Sequence, residues 1–240
     1  MKVQINISSK DRNFGTSTNF NVSLTQQLKR LKKISLVGVH IPYSFYIFTS
    51  LNNKISLTVG VVTENFVIPV GNYTAFQLQS TLQTVFNSGS FTGFTVIFDQ
   101  NTLKYTIANP TNFDMLFGIN GIASHLGFNT IVNKTGANTY TSDNVINLTN
   151  GDYINIRSSN LTSGLKQKSI NNRSDSDVFY KVPILTNSGG TIFHYVEFPL
   201  EYEYNDGKSM ESLDFQLLDA NNNIIDLNGQ DWNILLMAEL

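Results

Sequence analysis

Cysteine is absent from the 240 residues, which excludes a disulfide framework, a thiolate metal site and a cysteine nucleophile together. Charge is scarce as well. Asp, Glu, Lys and Arg make up 14% of the chain against 41% hydrophobic residues, so surface polarity has to come from Asn, Ser, Thr and Gln. No stretch reaches the roughly 18 consecutive apolar residues of a membrane-spanning helix. The opening MKVQINISSKDRNF has no apolar signal core, so a soluble, unsecreted protein is expected. Sequons at Asn72, Asn147 and Asn160 are read as a by-product of the high Asn content, not as glycosylation sites. Stability must come from packing or from assembly.

What is present is strand signal. Val3, Ile5 and Ile7 alternate with polar neighbours, and Phe20, Val22 and Leu24 do the same, the period-two pattern of a sheet with one buried face. ISLVGVHI (34–41) is apolar on both faces and reads as a central strand. Further strands are expected at 54–59, 65–69, 145–148, 152–157, 178–184, 192–198, 213–218, 224–227 and 232–238. Turns are expected at Asn52-Asn53, Asn150-Gly151-Asp152, Ser188-Gly189-Gly190, Asp206-Gly207, Asn221-Asn222-Asn223 and Asn228-Gly229. Many short strands at this spacing predict an all-β antiparallel sandwich in one main unit.

Residues 70–130 break the pattern and predict a small α+β insertion. In GNYTAFQLQSTLQTVFNSG, Thr74 and Gln77 form a capping box, Tyr73 is placed to staple onto Leu78, and Leu78, Leu82, Val85 and Phe86 recur at helical spacing. Gly89 is expected as the left-handed cap. FTVIFDQNTLKYTI (94–107) reads as a hairpin with Phe94, Val96 and Phe98 on one face. GIASHL (121–126), closed by Gly127, predicts a second short helix.

Chemistry is hard to find. His40, His125 and His194 are scattered and lie in no metal-ligand spacing. DANNNIIDLNG (219–229) lacks the glycine and carboxylate of a calcium loop at 224 and 230 and reads as a hairpin turn. Trp232 opens an apolar final strand and is assigned to a core or an interface. No phosphate loop, nucleophile elbow or defensible carboxylate pair occurs, so no enzyme and no cofactor are expected. The charge is unevenly distributed: the first 33 residues hold seven Lys or Arg against one acid, and residues 196–240 hold ten acids against one Lys. This implies two ends facing different partners, with nucleic acid or an acidic surface for the basic end. The alternative is a solvated strand edge guarded by Lys29, Arg30, Lys32 and Lys33.

Four stretches in order resemble the single-jelly-roll penton, or minor capsid, proteins of virophages, polintons and related icosahedral DNA viruses. They are SSKDRNFGTSTNFNVSL (8–24), KISLVGVHIPYSFYIFTSLNN (33–53), VGNYTAFQLQSTLQ (70–83) with HLGFN (125–129), and LDFQLLDANNNIIDLNGQDWNILL (213–236). The resemblance implies an N-terminal basic arm over 1–18, a jelly roll over 19–69 and 131–240, and the insertion over 70–130. It also implies a homopentamer at the fivefold vertex of a virion, seated among double-jelly-roll major capsid proteins and without a membrane span. Closed cyclic assembly joins two different patches, and YSFYIF, beyond a strand-ending proline, is the expected one. Tyr43, Phe45, Tyr46 and Phe48 are therefore the subunit-interface candidates, with Tyr46 and Phe48 on one side of an extended segment and Phe45 and Ile47 on the other. A core at one end of the sandwich is the alternative for these aromatics. Lys2, Lys10 and Arg12 are the candidates for contact with neighbouring capsid proteins or packaged DNA. The rival readings are a carbohydrate-binding sandwich or host-attachment module and, more remotely, a cupin-type metal enzyme.

Overall fold

The structure, a computed structural model, describes residues 1–118, 121–149, 151–163 and 177–240. In chain order the strands and helices are β1 (Lys2–Ser8), β2 (Phe14–Thr16), β3 (Asn19–Pro42), β4 (Lys54–Val59), β5 (Val62–Val67), α1 (Ala75–Phe86), β6 (Thr95–Asp99), β7 (Lys104–Leu116), β8 (Lys134–Thr141), β9 (Tyr153–Arg157), the single-turn α2 (Ser159–Thr162), β10 (Val178–Pro183), β11 (Thr191–Tyr195), β12 (Tyr202–Leu218) and β13 (Asn233–Glu239). The chain divides into two compact units, Met1–Phe45 with Asn150–Leu240, and Tyr46–Thr149. The expected insertion, 70–130, lies inside the second.

The first unit is an all-β antiparallel jelly-roll sandwich. Its eight-stranded sheet runs β1-β13-β3-β12-β9-β10, with β2 and β11 also paired to β3. The 24-residue β3 is the organising strand. Its first half pairs with β12 and β2, and its second half with β13 and β11. One strand thus serves both layers, and the sheet folds over between them. The bend is marked by a large bulge: Glu203 opposes Lys33 and Lys208 opposes Leu31, leaving 204–207 of β12 against Lys32 alone. Arg30 (φ 59°) and Gly207 (φ 73°) both adopt left-handed backbone there, the twist-increasing geometry a bulge requires. Asp206-Gly207, expected as a turn, is therefore a bulge inside a continuous strand.

Inward side chains of both layers form one core. Trp232, buried, has its ring 6.0 Å from Phe20 and 5.9 Å from Phe215, and its indole N–H donates to Ser17 O at 2.7 Å. The 219–223 turn is organised by Asp219, whose Oδ1 accepts from the backbone N–H of Asn221 and Asn223 at 2.8 Å each. Of the strand expected at 224–227, only an isolated bridge at Ile224 forms.

The second unit is α+β. Its sheet runs β5-β4-β7-β6 with β8 on β7, and α1 buries Leu78, Leu82 and Phe86 in its core. The Thr74/Gln77 capping box is formed in both directions. Gly89 is not the left-handed cap. Asn87 closes the helix instead, donating to Gln83 O and Phe94 O and accepting from Phe94 N. Glu64 reaches over Gly89, its carboxylate accepting from Ser90 N–H at 3.0 Å. The 94–107 hairpin forms with Asp99 opposite Lys104. GIASHL forms only a 3-10 turn at Ile122–Ser124, although Gly127 is left-handed (φ 83°). The segment 145–148 is not a strand: Ile146 N–H and Asn147 N–H bond singly to Leu103 O and His125 O. β8 was missed because KTGANTYT carries almost no apolar signal.

Candidate functional site

The aromatic stretch after Pro42 does not stay extended. It bends at Phe45 and Ile47, so strict alternation is lost. Tyr43 and Phe45 are buried in the first unit's core, their rings stacked with centroids 4.3 Å apart, and burial raises the Tyr43 phenol pKa. Ile47 and Phe48 belong to the second unit's core. Phe48 is 0% exposed, with its ring 5.2 Å from His125 and 5.7 Å from Tyr73. Tyr46, 39% exposed, is the one member left at the surface of the chain. The expected outward pairing of Tyr46 with Phe48 therefore does not occur, because each side of the bend fills a different core.

The expected basic arm is also corrected. Residues 2–8 are strand β1, in register with β13 from Lys2–Glu239 to Ser8–Asn233. Phe14–Thr16 pair with β3, and Ile7 and Ser9 are buried. Lys2 lies on this edge strand and Lys10 in the following 3-10 turn, both exposed. Arg12 is bound to Asp231 at 3.0 Å and to Ser9 O at 2.7 Å. Part of the sequence's charge imbalance is met inside the first unit, where antiparallel pairing lays β3 beside the acidic β12, while Lys29, Arg30 and Lys32 stay exposed. Lys33 meets Glu201 at 2.8 Å and Glu203 at 3.3 Å, and the Glu201 hydrogen bond raises the Lys33 pKa.

The histidines make neutral contacts. His125 Nδ1 is 2.9 Å from Asn147 O and its Nε2 3.1 Å from Asn52 Nδ2. His194 Nε2 is 3.2 Å from Tyr180 Oη. No group of three or more His, Asp or Glu residues able to hold a metal exists among the described residues. Trp232, buried in the core, offers no surface for stacking a sugar.

His40 instead marks a surface the sequence reading passed over. Its Nε2 lies 2.6 Å from Tyr195 Oη, and its ring stands edge-on to Phe193 with centroids 4.7 Å apart. Phe193 is 64% and Tyr195 61% exposed, while Ile192 between β3 and the core is buried. Tyr195 is the cross-strand partner of Gly38, where a Cβ would come within 2.7 Å of its ring. The segment after β11 adds exposed Phe198 and Leu200. β11 pairs with β3 on one side, and among the described residues no strand pairs with its other side. Tyr43 N–H bonds Gly190 O and Val196 N–H bonds Val37 O, so the alternating ladder turns the backbone groups of Thr191, Phe193 and Tyr195 outward. A free edge is usually guarded by Lys or Pro. β10, at the sheet's far end, carries Lys181 and Pro183, whereas TIFHY carries neither. The alternation in TIFHY was the signal available in the sequence, but it does not say which face is covered.

Two solved structures share this architecture. The crystal structure of the mavirus penton protein aligns over 100% of this chain and 99% of its own, at 10% identity and a TM-score of 0.56. The fold is similar to that of a penton protein. A chain of the cryo-EM structure of the Sputnik virophage aligns over 99% of this chain and 97% of its own, at 14% identity and a TM-score of 0.50. No family model and no curated protein matches the sequence. At these identities the likeness is one of fold, extending through both units.

Proposed function

We propose that this chain is a structural capsid protein of a virion, forming the homopentameric penton at icosahedral fivefold vertices among double-jelly-roll major capsid proteins. The observation that carries the reading is the end-to-end match in fold to a penton protein, with almost nothing left over on either chain. Copies join through the uncharged free edge of β11 and its Phe193/Tyr195 face, which present outward backbone donors and acceptors beside large aromatic side chains of the type that dominate interfaces. A head-to-tail ring needs a second, different patch on each copy, and Tyr46 remains a candidate for it. Lys2 and Lys10 are the exposed remnant of the expected basic contact with shell proteins or packaged DNA.

The test is the mass of the purified chain, alone and mixed with the major capsid protein of the same virus. A species five times the 26.8 kDa monomer, or incorporation at the vertices of reconstituted shells, is expected. A chain that stays monomeric in both settings overturns the proposal.

A further inference from the structure

The second unit carries an open groove of about 550 Å³ on the solvent side of α1, lined by Asn72, Tyr73, Phe76, Gln77, Ser80 and Thr81. That size falls within the roughly 300–1,000 Å³ of small-molecule clefts. No lining side chain is charged. An anion would find no cation there, and a metal ion would find no carboxylate.

The hydroxyl groups of the lining are set to accept. Tyr73 Oη donates to Pro69 O at 2.7 Å, Ser80 Oγ to Phe76 O at 3.2 Å and Thr81 Oγ1 to Gln77 O at 2.9 Å. Each hydroxyl has spent its proton locally and keeps lone pairs to accept with. Burial raises the Tyr73 pKa. Gln77 Oε1 is occupied by the Thr74 N–H at 2.9 Å, leaving its NH2 as a donor. Asn72 Oδ1 holds Ile47 N–H at 2.7 Å. Hydroxyl oxygens that accept thus stand beside an amide NH2 that donates, so the groove suits a ligand rich in O–H groups, which both donate and accept. Beside them Phe76 is half exposed and braced perpendicular to Phe98 with ring centroids 5.4 Å apart, an apolar platform that does not have to be ordered on binding.

We infer that this groove binds a neutral oligosaccharide, the C–H face of one pyranose ring packing on Phe76 and its hydroxyls donating to Tyr73, Ser80 and Thr81. This assignment is independent of the capsid reading, since it rests on the second unit alone.

The full chain is applied to immobilised neutral oligosaccharides of glucose, galactose, mannose and N-acetylglucosamine, with sialylated glycans as anionic probes, and hits are titrated in solution. Phe76→Ala is expected to weaken binding about fivefold or more through loss of ring contact. Gln77→Glu preserves the capping box, which accepts either residue, while removing the NH2 donor, and is expected to weaken binding several-fold. Both variants are compared at unchanged melting temperature. Absence of binding by the unmodified chain at millimolar sugar, preference for sialylated probes, or undiminished binding in either variant overturns the assignment.

Discussion

Ser9 and Trp232 are bonded to each other twice: Ser9 N–H donates to Trp232 O at 2.9 Å and Trp232 N–H to Ser9 Oγ at 3.1 Å. The same hydroxyl donates to Asp231 at 2.7 Å, and Arg12 closes on that carboxylate. Deleting residues 1–16 should therefore damage the fold, where a free arm would be dispensable. Loss of β1, with buried Ile7 and its ladder to β13, is expected to cost at least about 3 kcal/mol. Urea denaturation of the truncated chain checks this, and an unchanged midpoint would restore the arm.

Phe48 and the β11 aromatics should separate stability from assembly. Phe48→Ala opens a cavity in the second unit's core and is expected to cost about 3–5 kcal/mol whatever the oligomeric state. Phe193→Ser with Tyr195→Ser removes two mostly exposed rings together with the Tyr195–His40 hydrogen bond, and is expected to cost monomer stability about 1–2 kcal/mol, well below Phe48→Ala. In analytical ultracentrifugation the β11 pair should shift the protein toward monomer. If the proposed pentamer forms undiminished with that pair, its interface lies elsewhere.

Asp143 gives the second unit a pH dependence. Its carboxylate meets Lys134 Nζ at 2.7 Å and accepts from Asn129 N–H at 2.8 Å, and the Lys134 hydrogen bond is the leading reason its pKa is lowered. A carboxyl whose folded pKa lies below its unfolded value stabilises fully above the unfolded value, near 4, and loses that contribution as pH falls through the folded one. The pair is partly solvated, so the effect is expected to be below about 1 kcal/mol. Thermal melts between pH 7 and pH 2 should show a shallower acid loss in Asp143→Asn than in the unmodified chain.

Asp214 and Lys208, both on β12, hold opposite ends of α2. Asp214 accepts from Ser159 N–H at 2.9 Å and Asn160 N–H at 2.7 Å, and Lys208 Nζ donates to Asn160 O and Ser163 O. Burial lowers the Lys208 pKa, partly opposed by Asp214. Asp214→Ala strands the first-turn donors and is expected to cost about 1–3 kcal/mol. Faster hydrogen exchange at residues 159–162 is the local readout.

The strands with period-two apolar patterns were legible because one buried face writes itself into alternate residues, as in Val3/Ile5/Ile7 and Phe94/Val96/Phe98. α1 was legible because its cap and its apolar stripe agree. What could not be read was long-range pairing. Lys33 meets Glu201 only because β3 and β12 lie side by side, so which of the N-terminal basic residues are paired within the chain could not be read before that ladder was known. YSFYIF was misread for a related reason: alternation holds only while the chain is extended, and a bend between two cores makes neighbours such as Phe45 and Phe48 both inward. The β11 face was missed because Phe193 and Tyr195 are indistinguishable in sequence from core aromatics.

The inner faces of a sandwich meet through interdigitated side chains, and a strand can switch sheets at a bulge or bend. Here β3 runs unbroken from one layer into the other, and shear between them must strain covalent backbone and the bulge opposite Lys32.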